Sequence, residues 1–259
     1  MIIKKTFGKY SKYYDVIYKD KNYPAEVRFI EKIIHKYSSR KVKSILSLGC
    51  GSGNHEVLLA KKGYKILGID RSKVMLELFN DKAKKLYLLN SVSTKEADVS
   101  RFRTAQQYDC AISMFNVVGY QTENEQFDNM LKNVNKSLKT GGLFMFDCWH
   151  NPAVLKDKPT DRIKEIVVGN KQIIRLTSSK LNIVKNIIEI TFKVLEIVGP
   201  TVVDTVTETH PMRYWTIPEL TYFLEKGGFE LVSTCNFLDL NSRVSDDKWD
   251  IFILAKKIK

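Results

Sequence analysis

The stretch Ile45-Leu-Ser-Leu-Gly-Cys-Gly-Ser-Gly53 decides the fold of this chain. It predicts an apolar strand that runs directly into a turn with three glycines, where the absence of side chains and the tolerance of positive φ let the backbone approach a ligand closely. The helix that follows from about Asn54 points its free N–H groups at that ligand. A second apolar run, 66–70, ends in a carboxylate seventeen residues after Gly53. That carboxylate is placed to accept hydrogen bonds from both hydroxyls of a ribose, so the pattern predicts a nucleoside pocket.

The spacing of the glycines indicates which nucleoside. A dinucleotide site needs its third glycine where this chain has Asn54, whereas Gly53 comes one residue earlier. The tighter turn resembles motif I of the class I S-adenosylmethionine-dependent methyltransferases, so we expect S-adenosyl-L-methionine as the cofactor. Ligands of open α/β sheets lie at the carboxyl ends of the strands. The predicted cofactor contacts at those ends are Gly49, Cys50, Gly51, Gly53, Asp70, Arg71, Asp98, Val99, Phe115 and Asn116.

Length and composition favour one enzyme domain in the cytoplasm. A chain of 259 residues can bury a sizeable core, and no apolar run reaches the length of a membrane span or a signal peptide. The four cysteines are widely spaced without a Cys-x-x-Cys pair. They are therefore expected to be buried reduced thiols, and we expect no disulfide frame and no metal site.

The net charge of +13 comes mainly from lysines scattered in ones and twos. Lysine lacks the forked geometry that suits specific phosphate recognition, and no dense basic block resembles a nucleic-acid arm. A solvated basic surface explains this pattern. Attraction of an anionic substrate, either a nucleotide diphosphate or an RNA, is the alternative that the charge leaves open.

The order of apolar patterns predicts an α/β fold, and the resemblance to class I methyltransferases implies that this fold is the Rossmann-like one of that class. We expect a single domain over 1–259, with N-terminal helices in 1–40 and a core formed by 41–155 and 214–259. The core alternates strands and helices, which implies a mostly parallel seven-stranded sheet covered on both faces. Long alternating stretches in 156–213 predict an inserted antiparallel β cap. The predicted core strands are 44–48, 65–69, 92–97, 109–114, 143–147, 229–235 and 249–255, the last two forming an edge hairpin.

Further motifs narrow the resemblance to one group of methyltransferases. They include Tyr14-Asp15, Leu-Gly-Cys-Gly-Ser-Gly, Ala-Asp-Val-Ser-Arg-Phe, Met-Phe-Asn-Val-Val-Gly-Tyr-Gln-Thr, Phe-Asp-Cys-Trp-His-Asn-Pro and Met212-Arg-Tyr-Trp-Thr. Together they look like the methyltransferases found with sugar and polysaccharide biosynthesis, including the N,N-dimethyltransferases that act on the 3-amino group of dTDP-linked deoxyaminosugars. The resemblance implies an anionic nucleotide-sugar beneath the β cap, with Tyr14 and Tyr23 closing over the cofactor.

The acceptor side of the predicted site departs from that family at one position. The family's sugar N-methyltransferases carry a histidine after strand four, where this chain has Tyr120. A tyrosine is a poor base near neutral pH and a better hydrogen-bond partner, so His150 and His210 become the other candidate proton acceptors. Either histidine could instead be structural. Trp149, just past strand five, is expected to wall the acceptor site, and Arg213 and Tyr214 to meet a phosphate or sugar oxygen.

The sequence therefore predicts a methyltransferase that acts on an amino or hydroxyl group of a small acceptor, most simply a nucleotide-linked sugar or glycan precursor. One alternative is an RNA methyltransferase that uses the basic surface, although no nucleic-acid-binding module is visible. Another is a cofactor-binding regulatory subunit without turnover. An exposed edge of the cap would suit a homodimer.

Overall fold

The computed structural model describes residues 7–258, and the helices cover both faces of a central sheet. A short 3-10 helix, Lys9–Tyr13, precedes the first helix, and a second, Val117–Tyr120, follows the fourth strand. The α-helices are α1 (Tyr14–Ile17), α2 (Tyr23–Tyr37), α3 (Asn54–Lys61), α4 (Lys73–Lys85), α5 (Asn124–Ser137), α6 (Asn151–Lys156) and α7 (Ile217–Lys226). The helical periodicity predicted for 1–40 is thus confirmed from Lys9 onward, and residues 1–6 lie outside the described part of the chain.

Seven strands form the central sheet. They are β1 (Ser44–Leu48), β2 (Lys65–Asp70), β3 (Val92–Glu96), β4 (Tyr108–Ser113), β5 (Leu138–Trp149), β10 (Phe229–Asn236) and β11 (Asp250–Lys257). Their order is β10-β11-β5-β4-β1-β2-β3. The first five run parallel, whereas β11 is antiparallel to both β5 and β10. This confirms the predicted sheet and places the hairpin β10–β11 at one edge.

The predicted β cap is a separate antiparallel sheet. Its four strands are β6 (Arg162–Val168), β7 (Lys171–Asn182), β8 (Ile187–Val198) and β9 (Thr201–Arg213), paired in chain order. The 3-10 helix Lys9–Tyr13 and α1 pack against this sheet, since Tyr10, Tyr13 and Ile17 share a buried cluster with Ile173 and Val194. The cap and the N-terminal helices therefore form one wall above the central sheet.

One strand begins earlier than the sequence indicates. The Gly141-Gly142 pair predicts a turn before a strand at Leu143, but β5 already starts at Leu138. The glycines lie inside the strand, where the pairing with β4 passes from Tyr108–Leu138 to Cys110–Leu143. The pair thus absorbs a register shift within the strand, a role for which glycine's positive φ at Gly141 is suited.

The large apolar residues lie in two buried clusters, one on each face of the central sheet. One contains Ile30, Phe79 and Phe252, and the other contains Phe127 and Trp215. The four cysteines are free and buried, as predicted. No helix within residues 7–258 combines the length and the apolar character that a bilayer crossing requires.

Candidate active site

A cavity of about 260 Å³ lies between the carboxyl ends of the parallel strands and the cap sheet. Its floor comes from the loops after β1, β2, β3 and β4, and its roof from β8, β9 and the N-terminal segment. The residues that line the cavity include Phe7, Tyr10, Tyr14, Tyr18, Gly49, Gly51, Asp70, Arg71, Asp98, Val99, Phe115, Asn116, Tyr120, Trp149, Ile190, Phe192, His210, Met212 and Asp250. The topology thus brings most of the predicted site residues to one place.

The glycine turn and Asp70 are joined by direct hydrogen bonds. Asp70 Oδ2 accepts the Gly51 N–H at 2.9 Å, and Oδ1 accepts the Ser72 N–H at 2.8 Å. Burial raises the pKa of this carboxyl, although the two backbone donors act in the opposite direction. The carboxylate is therefore held in one orientation at the end of β2, with lone pairs left for a ligand in the cavity.

Glycine is required in this turn for different reasons at neighbouring positions. Gly53 has φ +77°, and a Cβ there would overlap the ring of Phe79 in the apolar core. Gly51 has φ +55° and lines the cavity, where a Cβ would meet no protein atom within 4 Å. Gly53 thus allows close packing of the core, while Gly51 leaves open space beside the backbone. Cys50, directly before Gly51, turns its thiol toward Gly68 in the protein interior.

A smaller cavity of about 30 Å³ continues beyond the glycine turn. It is lined by Tyr14, Tyr23, Cys50 and Asn54 among others. The Tyr23 hydroxyl is buried without a hydrogen-bond partner among the described residues. Because buried polar groups normally have a partner, this orphaned hydroxyl is a group that a bound polar ligand would satisfy.

The loop after β4 is held in an unusual conformation by one buried carboxylate. Phe115 and Asn116 both have positive φ, of 70° and 56°. Asp147, on β5, accepts their N–H groups at 2.6 and 2.9 Å. Burial, together with the neighbouring Asp250, raises the pKa of Asp147 to about 7. The Asn116 side chain is buried, and neither its amide nitrogen nor its oxygen has a partner in the described structure, which leaves both for a ligand.

Asp98, Val99 and Arg71 follow the neighbouring strands and line the same cavity. Asp98 Oδ1 accepts the Ser100 N–H at 2.8 Å and its hydroxyl at 2.6 Å, which fixes the loop after β3. Arg71 is exposed, and its guanidinium carbon lies 5.9 Å from the centroid of the Tyr120 ring. Both side chains are therefore available at the rim.

The N-terminal helices are attached to the glycine turn by Asp15, a residue that the sequence left without a role. Asp15 Oδ1 accepts hydrogen bonds from the Ser52 hydroxyl at 2.6 Å and from the Asn54 amide at 3.0 Å. Lys82 of α4 lies 3.3 Å from its other oxygen. This contact places Tyr14 and Tyr18 over the cavity.

A chain of three polar side chains runs from the cavity into the cap. The Tyr120 hydroxyl lies 2.8 Å from His210 Nδ1, and His210 Nε2 lies 3.4 Å from Glu208 Oε2. Burial raises the pKa of Tyr120 well above its ordinary value, so the phenol is protonated near neutral pH. Tyr120 and His210, predicted separately from distant parts of the sequence, are thus direct partners. Glu208 was missed, although Glu-x-His on a strand places both side chains on one face.

Three of the residues predicted for the acceptor side lie outside the cavity. His150 is buried, and its Nδ1 lies 3.1 Å from the Ser245 carbonyl oxygen. Arg213 donates to Asn124 Oδ1 at 2.8 Å, forms an ion pair with Glu219 and lies over the Trp215 ring. Tyr214 is fully buried. Successive side chains of a strand point to opposite faces, so Trp149 and Met212 face the cavity while His150 and Arg213, the next residues, do not.

The structure also brings residues to the cavity that the sequence did not single out. Those that are aromatic or acidic are Phe7, Tyr10, Tyr18, Phe192 and Asp250. Asp250 is the antiparallel partner of Trp149 at the end of β5, so only the pairing of β11 with β5 places it there. Within residues 7–258, no group of three or more histidine, cysteine, aspartate or glutamate side chains has an arrangement that could hold a metal ion.

The known proteins that this chain resembles are methyltransferases. A family model described as a methyltransferase domain matches residues 45–142. A putative methyltransferase of Geobacillus sp. (strain WCH70) is 26% identical over 55% of this chain, and the match spans 57% of that protein.

Solved structures match over nearly the whole chain. An S-adenosylmethionine-dependent methyltransferase from Clostridium acetobutylicum ATCC 824 superposes with a TM-score of 0.79 at 18% identity, covering 96% of this chain and 99% of that one. The sugar N-methyltransferase KedS8 from Streptoalloteichus sp ATCC 53650 gives 0.78 at 16% identity, covering 95% and 93%. The family model thus matches a methyltransferase domain over residues 45–142, and the solved structures show that nearly all of the chain shares its fold with methyltransferases.

Proposed function

We propose that this methyltransferase acts on an amino or hydroxyl group of a small acceptor, namely a nucleotide-linked sugar or glycan precursor. The observation that carries the proposal is the Tyr120–His210 pair, which faces the cavity beneath the cap sheet. The pair offers a proton-accepting route where β9 of the cap contributes to the roof of the cavity. A sugar acceptor is further supported by the fold shared with a sugar N-methyltransferase.

The residues around the glycine turn fit the cofactor. Asp70 would accept from the ribose hydroxyls, while Asp98 and the Val99 backbone would meet the adenine edge. The open space beside Gly51 and the unpartnered groups of Tyr23 and Asn116 suit the amino acid end. S-adenosylmethionine, when bound, supplies a methyl group already activated by the sulfonium. The chain's own task is then to place the acceptor and to receive its proton.

Positioning accounts for most of the expected acceleration. Holding a nucleophile in line at near-attack distance contributes roughly 7 to 11 kcal/mol, and a placed proton acceptor adds about 10² to 10⁴ in rate. The aromatic walls provided by Tyr14, Tyr18, Phe192 and Trp149 would hold a sugar ring and exclude water. Tyr120 accepts the acceptor's proton only if its own proton moves to His210, which the 2.8 Å contact permits.

The cavity favours a small acceptor over RNA. Apart from His210, Arg71 is the one basic residue among those that line it, whereas RNA binding relies on several lysines and arginines along the phosphate backbone. No lysine is among the described residues that line the cavity. A regulatory subunit without turnover would need no proton-accepting pair, so the same geometry favours catalysis.

Transfer assays with purified full-length protein test this proposal. Calorimetry would first measure binding of S-adenosylmethionine and of its demethylated product. Methyl transfer would then be followed with thymidine-diphosphate-linked amino sugars, their hydroxyl counterparts and an unstructured RNA. We expect transfer to a nucleotide-sugar and none to RNA. Transfer to RNA that falls steeply between about 50 and 200 mM salt would reject the small-acceptor proposal. Cofactor binding without transfer to any acceptor would favour the regulatory alternative.

A further inference from the structure

Within residues 7–258, the His210 ring has two hydrogen-bond partners, Tyr120 and Glu208. The imidazole is 1% exposed and is enclosed by the rings of Phe7, Tyr10, Phe192 and Tyr120, with ring centroids 4.9 to 5.8 Å away. Its Nδ1 meets the Tyr120 hydroxyl, and its Nε2 meets Glu208. The nearest cationic groups contact its neighbours: Arg71 lies over Tyr120, and Arg175 reaches the Tyr10 hydroxyl. The two hydrogen bonds therefore decide which nitrogen carries the proton.

Glu208 is an ionised acceptor in this arrangement. Its Oε2 accepts the Phe7 N–H at 2.9 Å, and its Oε1 accepts the Tyr10 N–H at 3.0 Å. Burial alone would raise the pKa of Glu208, but the hydrogen bonds from His210 and from these backbone groups lower it below its ordinary value. An ionised carboxylate can only accept, so the His210 Nε2 that faces it must donate. Nδ1 is then the free acceptor and Tyr120 its donor.

We propose that Glu208 is a positioning residue that fixes His210 in the Nε2–H form, so that Nδ1 can take the Tyr120 proton during methyl transfer. This inference rests on the proposed function. As the bond from the acceptor atom to the methyl carbon forms, the carbon–sulfur bond breaks and its electron pair stays on sulfur. The acceptor's proton passes to the Tyr120 oxygen, and the Tyr120 proton passes to His210 Nδ1. The resulting imidazolium faces the Glu208 carboxylate, which stabilises the new charge.

The same carboxylate connects this relay to closure of the cavity. Phe7 lines the cavity, and its N–H is held by the oxygen that also faces His210. Tyr10 is held by the other oxygen. One side chain thus contacts both the relay and the N-terminal segment that covers the cavity.

Nitrogen NMR of the histidine rings tests the inference without any acceptor. The chain has four histidines, and a His210→Asn variant assigns the signal of interest. At about pH 8.5, where an ordinary imidazole is neutral, we expect the wild-type Nε2 to show the shift of a protonated nitrogen and Nδ1 that of a bare one. In Glu208→Leu nothing fixes the tautomer, and the two shifts should approach each other. A wild-type Nδ1–H form, or an unchanged single tautomer in Glu208→Leu, would overturn the inference.

Two further variants complete the experiment. Asp204→Leu removes another carboxylate of β9, one that contacts Lys12 and Tyr13 of the same N-terminal helix but not His210, and should keep the wild-type tautomer. In an assay with a thymidine-diphosphate-linked amino sugar, Glu208→Leu should lower kcat by about 10² to 10⁴ and leave cofactor affinity within threefold. A change confined to KM would reject the relay. If the wild-type protein transfers no methyl group to any acceptor, the proposed function is rejected. The NMR measurement of the His210 tautomer needs no acceptor, so it still tests the role of Glu208 independently.

Discussion

Removing the carboxylate of Asp70 should separate cofactor binding from folding. In Asp70→Ala the N–H groups of Gly51 and Ser72 lose the acceptors that lie at 2.9 and 2.8 Å. Hydrogen bonds to charged groups contribute about 1.5 to 3 kcal/mol each, and water entering from the cavity would replace part of that loss. We therefore expect the free energy of unfolding to fall by about 2 to 4 kcal/mol.

The loss of cofactor affinity should be larger than this structural effect. If both oxygens also bind the ribose hydroxyls, two more charge-assisted hydrogen bonds disappear, together about 3 to 6 kcal/mol. At about 1.4 kcal/mol for each factor of ten, the dissociation constant should rise by about 10² to 10⁴. Asp70→Asn, which keeps one acceptor oxygen, should lie between the variant and the wild type.

Calorimetric titration of S-adenosylmethionine, with a parallel denaturant unfolding curve, measures the two effects on the same protein. Asp81→Ala, which removes an exposed acid from α4, controls for the change in net charge and should match the wild type. A folded Asp70→Ala protein that binds the cofactor within threefold of the wild-type affinity would refute the assignment of the ribose to this carboxylate.

Three further changes test other parts of the structure. Tyr120→Phe should lower kcat in a methyl-transfer assay by a factor of about 10² to 10⁴ and leave the cofactor affinity measured by calorimetry intact. An unaltered rate would exclude the Tyr120 hydroxyl from the mechanism. Gly53→Ala should lower the free energy of unfolding by about 2 to 5 kcal/mol, because it adds overlap with Phe79 to the cost of positive φ. Gly63→Ala, with φ +95° but no atom within 4 Å of a Cβ, should lose only about 1 to 2 kcal/mol in the same urea titration, and equal losses would contradict the packing argument. Burial alone would raise the pKa of Asp109, but hydrogen bonds from Lys139 and from the Lys43 and Ser44 N–H groups lower it to about 2. The ionised Asp109 therefore stabilises the folded state at pH values above its unfolded-state pKa near 3.8, and this contribution is lost as the pH falls toward 2. We expect Asp109→Asn to lower the free energy of unfolding by about 1 to 2 kcal/mol at pH 7 and to have almost no effect near pH 2, as measured by acid unfolding curves.

Local sequence patterns were sufficient for the central sheet and the β cap. The strand Ser44–Leu48 has the predicted bounds, and helix α3 starts at the predicted Asn54. Such segments follow from hydrophobic periodicity and glycine position, which act over a few residues. The β5 strand was predicted less well because Gly141-Gly142 reads as a turn in isolation. Only pairing with β4 and β11 keeps these glycines within a strand.

The sequence by its local patterns already predicts the proposed cofactor side of the site, because one continuous segment and the next strand carry it. Gly49 to Gly53 and Asp70 are brought together by the parallel pairing of β1 with β2, which the strand–helix–strand pattern already implies. The proposed acceptor side depends on tertiary structure. Tyr120, His210 and Glu208 come from the loop after β4 and from the cap, 90 residues apart in the case of the first two. The contact between Tyr120 and His210 is set by how the cap packs on the central sheet. The orientation of His150 and Arg213 away from the cavity is set by which face of a strand each side chain occupies. Neither is encoded in a local motif.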